Sequence, residues 1–209
     1  MESPMLRQLP NLITLTRIAV LIALVWLVFE EWTGAASLAF LCIFYGSLSD
    51  FLDGWIARRY GLITNFGKIM DALVDKIMTL GAFILLVMAG VLTPPWLMGF
   101  LIGLMAVREA GITLMRMIAA RRDIVLAADK AGKRKTIWQV TAICVLFAVP
   151  MVERDWATWS GADLGLFRDY VWLNGMLYFA LAAWLTIASG AHYFRQYGPM
   201  LWKRDATPA

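Results

Sequence analysis

Six long apolar runs alternate with short polar segments along the chain, and in each run the charges gather at one end. The first run, residues 12–29, turns apolar after Thr14, Thr16 and Arg17, with Asn11 placed to cap it. Residues 35–60 begin apolar and finish with Asp50, Asp53, Arg58 and Arg59. Gly61–Asn65 reads as a loop, and residues 66–90 reverse the order, with Lys68, Asp71, Asp75 and Lys76 ahead of the apolar part. Pro94 and Pro95 open a fourth run that ends near Arg121 and carries Arg108, Glu109 and Arg116 in its second half. After a polar connection, the fifth starts near Gly132 with Lys133, Arg134 and Lys135 and is apolar to Val152. Residues 153–169 read as a polar loop, and the sixth run covers 170–194. Runs of roughly 20 residues match the thickness of a bilayer's hydrocarbon core. The pattern predicts an all-α membrane bundle of six transmembrane helices, forming one domain over residues 1–209.

Alternating the direction of successive helices sorts the charges by side. All of the 19 Lys and Arg residues fall at one end except Arg154 and Arg168. The positive-inside rule then places both termini and the charged ends in the cytoplasm. Such an end suits an anionic lipid surface and anionic substrates. It does not suit nucleic acid, since no basic stripe lies away from the membrane-proximal ends.

Composition agrees: 61% of residues are hydrophobic and 16% charged, where a soluble domain carries about 25% charge. Cys42 and Cys144 both sit inside apolar runs and read as small core residues rather than a disulfide. His192 has no second His or Cys near it in sequence and reads as no metal ligand. Arg7 ahead of an apolar run looks like a signal peptide at first. However, Phe29-Glu30-Glu31-Trp32 offers no small-residue cleavage site, so the run is expected to stay as a first helix. The 10 Trp and 12 Met residues read as interface anchoring and packing.

Four aspartates inside helical runs at membrane depth are the unusual feature, because ionisable groups there are costly and tend to line a functional cavity. Asp50 and Asp53 are spaced i,i+3, and Asp71 and Asp75 are spaced i,i+4, so each pair shares a helix face. If the two helices form an antiparallel hairpin, the faces meet, and four facing carboxylates need a cation to stay ionised. Oxygen-only ligands favour Mg²⁺ or Mn²⁺ over zinc. Gly54 and Ala57 leave room beside Asp50 and Asp53, Arg58 is placed to grip a phosphate, and Gly67 opens matching space one turn before Asp71. Two metals and an arginine are equipment for displacement at phosphorus. The plainer alternative is a set of structural ion pairs at the helix ends.

The series Asp50-x2-Asp53-Gly54-x2-Ala57-Arg58-x8-Gly67-x3-Asp71-x3-Asp75 resembles the signature of the CDP-alcohol phosphotransferases at all eight fixed positions. The resemblance implies a six-helix homodimer in a bacterial cytoplasmic membrane. It implies two divalent metals held by Asp50, Asp53, Asp71 and Asp75, and Asp75 as the general base on the acceptor hydroxyl. Gly54, Ala57, Arg58, Thr64 and Gly67 would form the CDP site, with Asn11, Thr14 and Arg17 closing it. The implied reaction is attack of an alcohol on a CDP-linked lipid with release of CMP.

The acceptor is read from other segments. Arg108 and Arg116 lie eight residues apart, and Lys133 and Lys135 open the fifth run, so several cations reach the active-site end. An acceptor carrying its own phosphate would explain them. Leu9-Pro10-Asn11-Leu12-Ile13-Thr14-Leu15-Thr16-Arg17, Arg108-Glu109 and Gly132-Lys133-Arg134-Lys135-Thr136 resemble the branch of the family that joins CDP-diacylglycerol to sn-glycerol 3-phosphate. That branch has a proline after the first aspartate of its Asp-Pro-x-Ala-Asp-Lys segment, where this chain has Asp71-Ala72-Leu73-Val74-Asp75-Lys76. Rival acceptors are phosphatidylglycerol, as in cardiolipin synthesis, serine and inositol phosphate. A cation transporter would spread its acidic groups through the membrane depth, whereas these cluster at one end.

Overall fold

The computed structural model describes the backbone of residues 4–60, 65–121 and 130–202, and the side chains of residues 16–49, 73–121 and 134–199. Among the described residues every element is helical. In order they are α1 (Pro4–Val28), α2 (Ala35–Tyr60), α3 (Asn65–Met88), α4 (Pro95–Ala120), α5 (Lys130–Pro150), a π-helical segment (Met151–Trp156), the short α6 (Ala157–Ser160) and α7 (Gly165–Trp202). Three stretches, Pro95–Ala120, Arg134–Ser160 and Gly165–Pro199, are long and apolar enough to cross a membrane; Thr16–Val28 and Ala35–Ser49 are shorter apolar helices.

The helices pack around a main core, in which Leu24, Ile43, Phe83, Leu86, Phe147 and Phe179 are buried, and Ile112, Met115 and Tyr193 form a smaller cluster between α4 and α7. Phe83 and Phe179 meet edge to face at 5.1 Å, tying α3 to α7. The outside is also apolar: Ile22, Leu41, Ile84, Phe100, Leu114 and Leu177 are exposed. Large apolar side chains on both the inner and outer faces of helices describe a bundle solvated by lipid. Cys42 and Cys144 are free thiols.

One end of the bundle is closed by short polar devices. Gly90, at φ +73°, ends α3 in the left-handed conformation open to glycine, and Val91 N–H donates back to Leu86 O at 3.0 Å. Pro95 then starts α4 at a position where a missing N–H costs nothing. Trp172 Nε1 donates to Val91 O at 2.8 Å and fastens α7 to this turn. Trp32, Trp96, Trp156 and Trp159 are exposed at the same end, as an aromatic belt at a membrane surface requires.

Three expectations are corrected here. Asn11 does not cap a helix, because α1 begins at Pro4 and runs on through Pro10 and Asn11. The last long helix, α7, extends well beyond 170–194 at both ends. Residues 153–169 are not simply a loop, since the helix continues past Pro150 to Ser160 with a π-helical insertion. Pro150 withdraws a donor from the ladder where the winding loosens.

That insertion turns Asp155 inward. Asp155 is 1% exposed and accepts hydrogen bonds from Gly34 N at 2.8 Å and Ser37 N at 2.7 Å, capping the start of α2. Gly34 stands at φ +111°, which other residues rarely adopt. Asp155→Ala therefore strands two backbone donors and is expected to lower stability by about 1.5–3 kcal/mol. A melting temperature in detergent equal to that of the parent chain would show that the cap contributes nothing.

Candidate active site

Most of the Lys and Arg residues gather at the end of the bundle opposite to this cap. α2 and α3 follow one another in the chain, and the end of the Met78 side chain on α3 lies against Gly46 on α2. A Cβ on Gly46 would lie 2.6 Å from Met78 Cε, so glycine gives the end of that side chain its room against α2. Immediately beyond, a small cavity of about 40 Å³ is lined by Arg17 of α1, Ser47 of α2 and Asp75 of α3, among others. Arg17 is 1% exposed, an expensive place for a guanidinium unless carboxylates surround it. Asp75 is half-buried.

Helical backbone carries Asp50, Asp53, Gly54, Ala57 and Arg58 on α2, and Gly67 and Asp71 on α3, as the spacings predict. Their side chains lie outside the described residues, as do all of Thr64 and the side chain of Lys133. Among the described residues, no group of three or more His, Cys, Asp or Glu side chains converges on a metal position. Of the four aspartates, Asp75 is the one whose side chain is described.

A second cluster lies between α3, α4, α5 and α7. Glu109 on α4 pairs with Arg108 Nη1 at 3.0 Å and with Lys135 Nζ on α5. Lys135 is buried, and the charges of Asp75, Lys76 and Arg108 act on it, which links this cluster to the aspartate cavity. Lys76 Nζ donates to Thr113 Oγ1, and Thr113 in turn donates to Glu109 O at 2.8 Å. Arg108 Nη2 also donates to Ser189 Oγ of α7 at 2.9 Å. Two turns along α4, Arg116 is exposed, with Nε donating to Tyr193 Oη at 3.3 Å and its guanidinium 5.6 Å from the ring centre.

The structure thus brings Arg108 and Lys135 together and sets Arg116 apart on the rim. Eight residues leave the two arginines about 80° apart around α4, enough to give one a half-buried position and the other an exposed one. His192 is exposed and joins neither cluster. Ser189, Tyr193 and Thr113 had no signal in the sequence, because single hydroxyls in apolar runs are common in packed helices. Glu109 was legible only as Arg108's neighbour, although a lone acid among cations at membrane depth marks the centre of such a cluster.

Comparison with known proteins places this arrangement in a family. A family model described as CDP-alcohol phosphatidyltransferase matches residues 7–188. The chain is 32% identical over 198 residues to the CDP-diacylglycerol–glycerol-3-phosphate 3-phosphatidyltransferase of Bacillus subtilis, covering 89% of this chain and 93% of that one. It is 29% identical over 191 residues to the protein of the same name from Rickettsia typhi, covering 91% and 97%. Against the chloroplastic/mitochondrial protein 1 of that name from Arabidopsis thaliana it is 31% identical over 205 residues, covering 93% of this chain and 64% of that one.

Proposed function

The chain belongs to the CDP-alcohol phosphatidyltransferase family of enzymes, and from that premise we propose that it transfers a phosphatidyl group from CDP-diacylglycerol to sn-glycerol 3-phosphate, releasing CMP. The observation that carries the choice of acceptor is the placement of Arg108 and Lys135 around Glu109, with Lys135 in electrostatic reach of Asp75. A neutral alcohol gives such a cluster nothing to bind, whereas a phosphate monoester does. The names of the Bacillus and Rickettsia relatives support the same acceptor.

In this reading Asp50, Asp53, Asp71 and Asp75 hold two Mg²⁺ or Mn²⁺ ions. From the Gly46–Met78 approach, antiparallel helices bring positions 50 and 75, and then 53 and 71, to similar levels, which supports a shared site for an all-oxygen donor set. When bound, the ions neutralise the pyrophosphate and the departing CMP. Gly54, Ala57, Arg58, Thr64 and Gly67 receive the cytidine diphosphate part, with Arg17 as a buried counter-charge behind it. Arg108, Arg116, Lys133 and Lys135 receive the acceptor's phosphate. Asp75 takes the proton of the acceptor hydroxyl as its oxygen bonds to the lipid-side phosphorus. The bond from that phosphorus to CMP breaks, and the proton passes from Asp75 to solvent.

The same reading takes the chain as one domain with six spans and both termini cytoplasmic, in a bacterial cytoplasmic membrane. The scarcity of Lys and Arg at the far end, where Arg154 and Arg168 lie, supports that polarity. An apolar groove of about 300 Å³ between α3 and α4, where Gly99 and Gly103 lie open, supports a homodimer.

The test is CMP release by purified protein with CDP-diacylglycerol and a panel of acceptors. Glycerol 3-phosphate is expected to exceed phosphatidylglycerol, serine and inositol phosphate. Chelating divalent ions should lower the rate on the order of 10³-fold, with Mg²⁺ or Mn²⁺ restoring it. Equal release with buffer and with glycerol 3-phosphate would remove this acceptor, and full activity in chelator would remove the metal site.

A further inference from the structure

The inner face of α7 touches both arginines of α4. Ser189 is buried, accepts from Arg108 Nη2 at 2.9 Å and donates to Thr186 O at 3.0 Å. Thr186, fully buried, accepts from Gln139 Nε2 of α5 at 3.2 Å and donates to Ala182 O at 2.6 Å. Arg108 therefore ends a hydrogen-bonded chain that crosses from α5 through α7 to α4. Gly190 supplies the space for the arginine's stem, since a Cβ there would lie 2.5 Å from Arg108 Cγ. One turn further, Tyr193 is 2% exposed and holds Arg116 through both its hydroxyl and its ring.

The geometry points to α7 as the wall that positions the acceptor-phosphate site, with Ser189 and Gly190 setting Arg108, and Tyr193 setting Arg116. The inference rests on the reading that the acceptor carries a phosphate. A guanidinium fixed through Nε keeps both terminal amino groups for a bidentate phosphate contact, and Tyr193 holds Arg116 in that way. Arg108 is held instead through Nη1 by Glu109 and Nη2 by Ser189, and each of these nitrogens has a second N–H to offer a phosphate. A guanidinium left to rotate loses affinity through ordering entropy when the phosphate arrives. None of the three residues is a catalytic residue. Each acts through an arginine, so its removal changes the binding of one substrate and leaves the chemistry alone. A purely structural role for the same contacts would instead loosen the bundle and disturb both substrates.

The experiment is steady-state kinetics of the full chain in detergent with each substrate varied, for Tyr193→Phe, Ser189→Ala, Ser189→Thr and Gly190→Ala. Tyr193→Phe keeps the ring and deletes the hydroxyl; Ser189→Thr keeps the hydroxyl. Tyr193→Phe and Ser189→Ala are expected to raise KM for glycerol 3-phosphate by about 2–10-fold, the effect of one hydrogen bond. The kcat and the KM for CDP-diacylglycerol should stay at parent values, and Ser189→Thr should recover most of the loss. Gly190→Ala should shift the same KM in the same direction, and if it fails to fold the other three variants decide. Unchanged KM values, or KM values that rise together for both substrates, overturn the inference. A parent chain that makes no product from glycerol 3-phosphate overturns instead the reading on which it rests.

Discussion

Asp75→Asn is expected to keep the fold and the binding of CDP-diacylglycerol while lowering turnover by about 10²–10⁴-fold, the contribution of a positioned general base. The substitution preserves shape, and Asp75 is only half-buried, so the amide meets no severe desolvation. What it removes is the ability to take a proton, together with one anionic ligand of the proposed metal site. Asp75 is well placed for that work, because it lines the cavity shared with Arg17 and lies in reach of the Lys135 cluster proposed to hold the acceptor. Binding is checked by the melting-temperature rise that CDP-diacylglycerol produces, and turnover by CMP release. A variant that turns over within a few-fold of the parent takes the role of general base from Asp75.

Lys135→Met carries the second large effect, confined to the other substrate. Lys135 is buried at the start of α5 and paired with Glu109, but Glu109 also holds Arg108 at 3.0 Å. Methionine fills similar volume and leaves the carboxylate still matched by a cation, so the bundle keeps its charge balance. A hydrogen bond to a charged group contributes about 1.5–3 kcal/mol, which predicts a rise of about 10–100-fold in KM for glycerol 3-phosphate. KM for CDP-diacylglycerol should not move. Removing Glu109 is the contrasting case, since it strands two cations in the bundle and disturbs folding before it reports on binding. If Lys135→Met leaves both KM values unchanged, Lys135 is a topology charge and the acceptor site rests on the arginines.

The parts of this protein that sequence made legible are those governed by long repeats and by expensive residues. Apolar runs near 20 residues announced the long helices because bilayer thickness leaves little choice. Asp50, Asp53, Asp71 and Asp75 stood out because carboxylates are rare at membrane depth, and their spacing alone placed each pair on one face. Other features depended on tertiary contact. Asp155 looked like one more polar residue of a loop until a π-helical insertion turned it onto the backbone of α2. Ser189 and Tyr193 acquire meaning only because α7 lies beside α4 with Gly190 against Arg108. Asn11 read as a cap, yet α1 starts earlier and passes through it, since local preference yields to the surrounding fold.

The most direct test of the account follows the acceptor into the product. Purified protein is incubated with CDP-diacylglycerol, Mg²⁺ and glycerol 3-phosphate labelled in its carbons, and the lipid is extracted. Label is expected in a phospholipid that carries a terminal phosphate, formed in step with CMP. Label that stays in the aqueous phase while CMP is released would contradict it.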